Sequence, residues 1–271
     1  MGPDILQGGA NQEVSLDVRR CLVQPKNLKF MSKMDMLAME ACHQVLEQYP
    51  LDQETRNQRT GLYLCVGVLP FEERELRILG EKSQIEGEFS QENFVTKAMP
   101  SLNPLTTFKC LPNMAAFHLS HNYGLKEAYL VTYPDRYQWG QALAAAMHDL
   151  RRGRVDYALV GAATHQQNPL VKNYNRKMGL PENVLTPDCG GMWLLARKGT
   201  HQNCRLVSPI EMQYHPPGGV QEIGFKTEID QHLGPVQDLY TLQQKRLKKE
   251  VIHFSYKNDY YRYHFSMGAT L

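Results

Sequence analysis

The alternation of apolar and polar positions changes period several times along the chain, and each change predicts an element. From Leu28 to Gln48, the residues Met31, Met34, Leu37, Ala38, Cys42, Val45 and Leu46 recur at spacings of three and four. That spacing predicts a helix burying one stripe, with Ser32 or Asn27 as its cap. Tyr49-Pro50 ends it, and a polar linker is expected up to Arg59. Thr60 to Leu69 is a nearly continuous apolar run, as expected of a strand covered on both faces. Glu72 to Glu92 is charged and predicted helical, with a loop at Gly87.

The central stretch, Leu102 to Thr164, is the most regular. Pro112 to Ser120 opens a helix, and Tyr123-Gly124-Leu125-Lys126 closes it. Ala128 to Val131 predicts a strand, Gln138 to Arg152 an alanine-rich helix stopped by Gly153, and Tyr157 to Ala163 a buried strand. Strand, helix and strand in that order make a βαβ unit, hence a parallel layer flanked by helices. Beyond it, Pro169 to Pro181 reads as a loop with a short helix, and Asp188 to Ala196 as a strand begun by glycines. Arg205 to Tyr214 predicts a strand and Leu239 to Glu250 a helix. Val251 to Tyr256 and Tyr260 to Phe265 predict two closing strands.

Composition narrows the function classes. The 271 residues are 42% hydrophobic and 21% charged, which is ordinary for a globular protein. A net charge of +2 gives no argument for nucleic acid or for a polybasic membrane contact. Lys245-Arg246-Leu247-Lys248-Lys249 reads as a solvated helix face. With no apolar stretch of 18 residues and no leader pattern, neither a membrane span nor a secretion signal is expected. Six scattered cysteines without a CxxC pair fit reduced thiols in a cytoplasmic protein. His118 and His121 share a helix face, yet lack a third ligand at a diagnostic spacing, so no metal and no cofactor is expected. No GxSxG elbow, P-loop or GxGxxG stands in the chain.

Six segments, in order, carry a resemblance. They are Phe30 to Ala38; Arg59-Thr60-Gly61; Asn103-Pro104 with Pro112-Asn113-Met114-Ala115-Ala116; Tyr123 to Lys126; Arg152 to Ala162; and Gly190 to Leu195. Together they resemble the N-terminal half of the β-ketoacyl-acyl-carrier-protein synthases, which have the thiolase fold. That family writes the same places as "RFMDRFxxLA", "SPF…PNMAAGHI…YGLKG", "RRGEADVMLAGG" and "GAGMLVLE". The resemblance implies an α/β, thiolase-like layered fold. A degenerate synthase-like domain is expected over residues 1–198, with a divergent C-terminal segment, 199–271, packing on it.

The departures shape the functional expectation. The family places a nucleophilic cysteine in "TACASG", at the turn into the long helix, where the helix N-terminus lowers the thiol pKa and backbone N–H groups hold an oxyanion. Here the chain reads Val131-Thr132-Tyr133-Pro134-Asp135-Arg136-Tyr137-Gln138-Trp139-Gly140. Counting back from Gly140 puts Thr132 at the nucleophile position, and a two-residue gap puts Pro134 there. Neither is a thiol. The "HGTGT" and "NSFGFGGHN" segments, whose histidines drive condensation, do not follow Leu195.

The resemblance therefore implies a chain-length-factor subunit rather than an enzyme: a heterodimer partner of a catalytic β-ketoacyl synthase, in a system that uses acyl carrier protein. The small factor of aryl-polyene clusters is the narrower expectation. Val68, Thr106 and Cys110 match family positions that line the acyl tunnel, and plain core packing accounts for them equally. Asn113, Met114, Phe117, Tyr129 and Val131 match the dimer interface. Two alternatives stay open: an acyl-processing or malonyl-decarboxylating enzyme using Gln138 or Cys110, and a self-associating scaffold.

Overall fold

The strand predicted from the longest apolar run lies at the middle of the main sheet. The computed structural model describes residues 6–7, 16–134, 138–177, 188–197, 199–200, 205–207, 211–214, 252–257 and 261–270. Side chains are described for 16–134, 138–177, 188–197 and 199–200. In chain order, β1 (Leu6–Gln7) is followed by two 3-10 turns, Val18–Cys21 and Pro25–Phe30, then α1 (Lys33–Gln48), α2 (Gln53–Arg59) and β2 (Thr60–Val66). Next come α3 (Glu73–Lys82), a hairpin of β3 (Gln84–Ile85) and β4 (Glu88–Phe89), and the short α4 (Gln91–Asn93). After it stand α5 (Pro104–Lys109), α6 (Met114–Tyr123) and β5 (Tyr129–Thr132). The series closes with α7 (Gln138–Arg151), β6 (Tyr157–Thr164), α8 (Pro169–Lys177), β7 (Cys189–Ala196), β8 (Arg205–Val207), β9 (Glu211–Tyr214), β10 (Ile252–Lys257) and β11 (Tyr261–Thr270).

The main sheet has the order β1-β7-β6-β2-β5. β2 lies parallel to both β5 and β6, whereas β7 runs antiparallel to β6. Alternation along β2 sorts its side chains between two helical layers. Leu62, Leu64 and Val66 join the core beneath α1 and α6; Tyr63 and Cys65 join the core beneath α7. The layer below α7 also holds Trp139, Leu143, Ala146 and Leu150, with Ala142 and Ala146 letting the helix sit close to the sheet. The chain is thus a mixed α/β fold arranged like the N-terminal half of a ketosynthase, as the quoted motifs implied. β8 to β11 form a second, antiparallel sheet in which β11 pairs β10, β8 and β9.

Several expectations need correction. The first helix starts at Lys33 rather than Leu28, because Ser32 and Asp35 close a capping box and leave Pro25–Phe30 as a 3-10 turn. The expected polar linker is α2, capped by Asp52, whose carboxylate accepts from Thr55 N at 2.9 Å and Thr55 Oγ1 at 2.6 Å. The charged stretch after Glu72 is helical to Lys82 and again from Gln91, rather than continuously around Gly87. Between the two, Glu86 (φ 52°) and Gly87 (φ 85°) turn it into a hairpin. Arg205 to Tyr214 holds two strands rather than one. The helix expected over Leu239 to Glu250 lies outside the described residues.

One close approach fixes how α1 meets the sheet. A Cβ on Gly190 of β7 would stand 2.8 Å from the Leu37 carbonyl oxygen and 3.1 Å from the Leu37 Cβ. The helix backbone therefore rests directly on the strand. Gly190→Ala should destabilise the chain by about 1–3 kcal/mol, since the obstacle is backbone rather than a movable side-chain tip. Urea denaturation measures this, and an unchanged midpoint would contradict the contact.

Candidate functional site

In open α/β sheets, ligand and catalytic groups gather beyond the carboxyl ends of parallel strands. Here those ends are Val66 of β2, Thr132 of β5 and Thr164 of β6, and buried polar side chains stand at and beyond them. Thr132, Gln138, Thr164, Gln166, Asn168 and Asp188 are all buried. Asn168 ties the region together: its Nδ2 donates to the carbonyls of Leu69 (2.7 Å) and Val68 (3.3 Å). Its Oδ1 accepts from Leu170 N (2.7 Å), capping α8 ahead of Pro169. Asp188 pairs with Lys33 Nζ at 2.7 Å and accepts from Gln167 N at 3.1 Å, joining α1 to the β6–α8 connection. Gln166 Nε2 donates to Thr164 Oγ1.

Thr132 Oγ1 donates to the Gln138 carbonyl at 3.4 Å across the turn into α7. That bond ties the end of β5 to the first residue of α7. Gln138, the first residue of α7, is 2% exposed, and neither end of its carboxamide has a partner among the described residues. Behind it, Trp139 meets Trp193 edge to face, with ring centroids 4.8 Å apart at 85°. Residues 135–137 of this turn lie outside the described set.

Two of the described cysteines, Cys110 and Cys189, are buried. Burial, then Glu75, pushes the Cys110 thiol up to about 11, and burial pushes Cys189 to about 12. Both are protonated thiols at neutral pH. Among the described residues no group of three His, Cys, Asp or Glu side chains is placed to hold a metal ion.

Of the tunnel candidates, Thr106 and Cys110 lie one turn apart on and after α5, both buried, with Cys110 N donating to Thr106 O at 3.1 Å. Val68 is half-buried on the segment after β2 that Asn168 grips. Of the interface candidates, Phe117 and Tyr129 are 47% and 68% exposed. Asn113 is exposed and Val131 half-buried. Met114 is different: it is 3% exposed, already enclosed in this chain, and presents no free surface.

β5 forms one end of the main sheet. Leu62 N donates to Ala128 O at 2.9 Å, and the parallel register sets Tyr129 opposite Leu62. In such a ladder the Leu130 N–H turns towards β2, so the main-chain groups of Tyr129 and Val131 face outward. The same two residues that sequence reasoning assigned to an interface thus carry the sheet edge that no described strand pairs.

With this geometry in hand, residues 7–181 match the β-ketoacyl synthase N-terminal domain. The chain belongs to the β-ketoacyl synthase family. No curated protein matches it. Among solved structures it resembles a chain of the AntDE:AntF complex, a type II polyketide synthase acyl-carrier protein with its ketosynthase bound to the hexaketide. That likeness has 13% identity and a TM-score of 0.68, and covers 99% of this chain and 98% of the other. It also resembles the ishigamide ketosynthase/chain length factor, with 16% identity and a TM-score of 0.52 over 74% of this chain and 54% of that one. At these identities the likeness speaks for the fold.

Two further groups of this synthase-family chain escaped sequence reasoning. Asn168 had a signal, since asparagine before proline is a helix-start pattern. Asp35 had only its place in the capping box. Its Oδ2 accepts from Ser32 N (2.7 Å) and Ser32 Oγ (2.8 Å), while buried Oδ1 has no partner among the described residues. Burial raises its pKa from 3.8 to about 7, against the Ser32 bonds and Lys109, which lower it. The folded state therefore holds this proton more tightly than the unfolded chain. The resulting stability is full below about 4 and is lost as pH rises towards 7, on the order of a few kcal/mol. Comparing urea midpoints of wild type and Asp35→Asn between pH 4 and 8 isolates the effect: wild type should lose stability relative to the variant across that window. A constant difference would contradict it.

Among the described residues, no helix is long and apolar enough to cross a membrane.

Proposed function

We infer that the chain is a non-catalytic companion of an active β-ketoacyl synthase, of the chain-length-factor kind. It pairs with that enzyme and shapes the tunnel in which the acyl chain grows, within type II polyketide or fatty-acid synthesis. The observation that carries this reading is Thr132: a buried hydroxyl, bonded to the Gln138 carbonyl, at the position that counting back from Gly140 assigns to the family's cysteine. An unactivated alcohol cannot take up an acyl group from a thioester at a useful rate. Support comes also from the open edge of β5 and the exposed Phe117 and Tyr129. The two similar structures are described as complexes of a ketosynthase with its carrier protein and of a ketosynthase with a chain length factor. The system that makes aryl polyenes is the narrower form of the proposal, and acyl carrier protein its second partner.

Co-expression with the cognate ketosynthase, followed by sizing and native mass measurement, tests the pairing. A stable 1:1 complex is expected, and separate elution at micromolar concentration overturns it.

One observation favours a second reading. The carboxamide of Gln138 at the start of α7 is a buried donor and acceptor without a partner among the described residues, a group that a malonyl-decarboxylating site can turn to its substrate. Carbon dioxide release from malonyl-carrier protein by the isolated chain, abolished in Gln138→Ala, distinguishes it.

A further inference from the structure

The excursion between β2 and α6 turns apolar side chains outward. Its helix α3 buries no residue, and all four residues of the β3–β4 hairpin are exposed. Ser83 and Asn93 are enclosed, whereas Ile85 (53% exposed), Phe89 (63%), Val95 and Met99 face solvent. The enclosed polar groups brace the hairpin. Asn93 Nδ2 donates to Gln84 O at 3.1 Å, Asn93 N to Ser90 Oγ at 3.2 Å, and Ser90 N to Ser83 O at 2.7 Å. Phe89 meets Phe94 with ring centroids 5.9 Å apart. Lys82 Nζ donates to Ser101 Oγ at 2.7 Å, and Ser101 Oγ to Lys97 O at 2.6 Å, tying the end of α3 to the turns that follow. The outward apolar groups therefore stand on a bonded frame and not on a slack loop. Six of the ten exposed large hydrophobic side chains among the described residues lie between Ile85 and Leu111. Scattered singly such groups are ordinary, but gathered on one stretch they mark a surface that is covered in use.

We propose that this excursion is a docking arm for the catalytic ketosynthase, an apolar face with an acidic rim that fits an apolar patch bordered by basic side chains. The proposal rests on the companion-subunit reading and adds a surface which that reading did not use. Three observations point to this occupant. The first is size. A stable complex buries about 800 Å² on each partner, from about 20–30 residues. β5 is four residues long, and with Phe117 beside it falls well short of that. The second is continuity. Phe108, Leu111 and Phe117 are exposed along the run from α5 into α6, where Leu111 N donates to Phe108 O and Met114 N to Leu111 O, both at 3.2 Å. The excursion thus leads its exposed apolar groups into the helix that carries the interface candidates.

The third is charge. Residues 81–99 hold four glutamates, Glu81, Glu86, Glu88 and Glu92, against two lysines, Lys82 and Lys97, and all four glutamates are exposed. Two-fold pairing of the arm with a second copy would set this rim against itself, and like charges facing across an interface are unfavourable. A different chain with a basic border meets no such cost. Because the frame is already bonded in the free chain, little ordering is required when the arm docks.

The test is the affinity of the full chain for its cognate catalytic ketosynthase. The double variant Ile85→Ser with Phe89→Ser should bind about tenfold to a hundredfold more weakly, with the circular dichroism of the isolated chain unchanged. The pair Glu86→Lys with Glu88→Lys should slow association at low salt, and the difference from wild type should shrink in about 0.5 M sodium chloride. An association rate untouched by that charge reversal overturns the acidic rim. Equal affinity of the folded serine variant overturns the arm and leaves the companion-subunit reading intact. If the serine variant does not fold, amide exchange of wild type over residues 84–99 decides: slower exchange in the complex upholds the arm, and unchanged exchange overturns it. A wild-type chain that dimerises alone, and becomes monomeric in the serine variant, assigns the face to a second copy and overturns the proposal. No complex with the wild-type chain overturns both readings.

Discussion

Tyr129→Pro is expected to weaken the 1:1 complex on the order of a hundredfold while leaving the isolated chain folded. Tyr129 is the first residue of β5 and 68% exposed, and its N–H points away from β2. Proline at the first position of an edge strand takes nothing from the existing ladder. It does remove the outward donor and put a ring where a second strand would lie. Each partner acceptor left buried without a donor costs about 1–3 kcal/mol, and the lost aromatic surface adds to this; a hundredfold corresponds to about 2.7 kcal/mol. Binding by surface plasmon resonance, with circular dichroism on the variant alone, reads both halves. Unchanged affinity in a folded variant would mean that partners do not join along β5.

The largest expected effect on stability is that of Trp139→Ala. Trp139 is 1% exposed, second in α7, wedged edge to face on Trp193 and in the same core layer as Tyr63, Leu143 and Val160. Removing so large a buried ring costs about 3–5 kcal/mol, by lost transfer energy and by the cavity left under the helix. For a chain of this size that lowers the melting temperature by roughly 6–20 °C. Thermal unfolding measures it. A fall of a degree or two would show that α7 is not anchored at its N-terminal turn, where the structure places Thr132 and Gln138 against each other.

The contrast between what was readable and what was not has a physical basis. α1, β2, α7 and β6 bury whole stripes or faces, and burial leaves periodicity in the chain. α2 buries nothing, so its seven residues carry no stripe; only Asp52 three residues before Thr55 marked it. The β3–β4 hairpin was masked by charge. Its exposed Gln84, Ile85, Glu88 and Phe89 show no strand alternation, and the turn sets Glu86 in the left-handed region that glycine normally fills. The place of Thr132 at the turn into α7 was legible from motif order. The environment of Gln138, Asn168 and Asp35 was not, since whether a polar side chain is buried and what it bonds depends on contacts between segments far apart in the chain. Asn168, for example, reaches back 99 residues to the Leu69 carbonyl.

The account's central claim is that this chain carries no acyl group and acts by its shape on a partner that does. Intact-mass measurement of both polypeptides during turnover, with the ketosynthase, acyl- and malonyl-carrier protein all present, tests it most directly. The account predicts acyl adducts on the ketosynthase alone, and chain elongation that depends on adding this protein. A covalent acyl adduct on this chain, whether at Thr132, Cys110 or elsewhere, or elongation of the same length without it, would contradict the account.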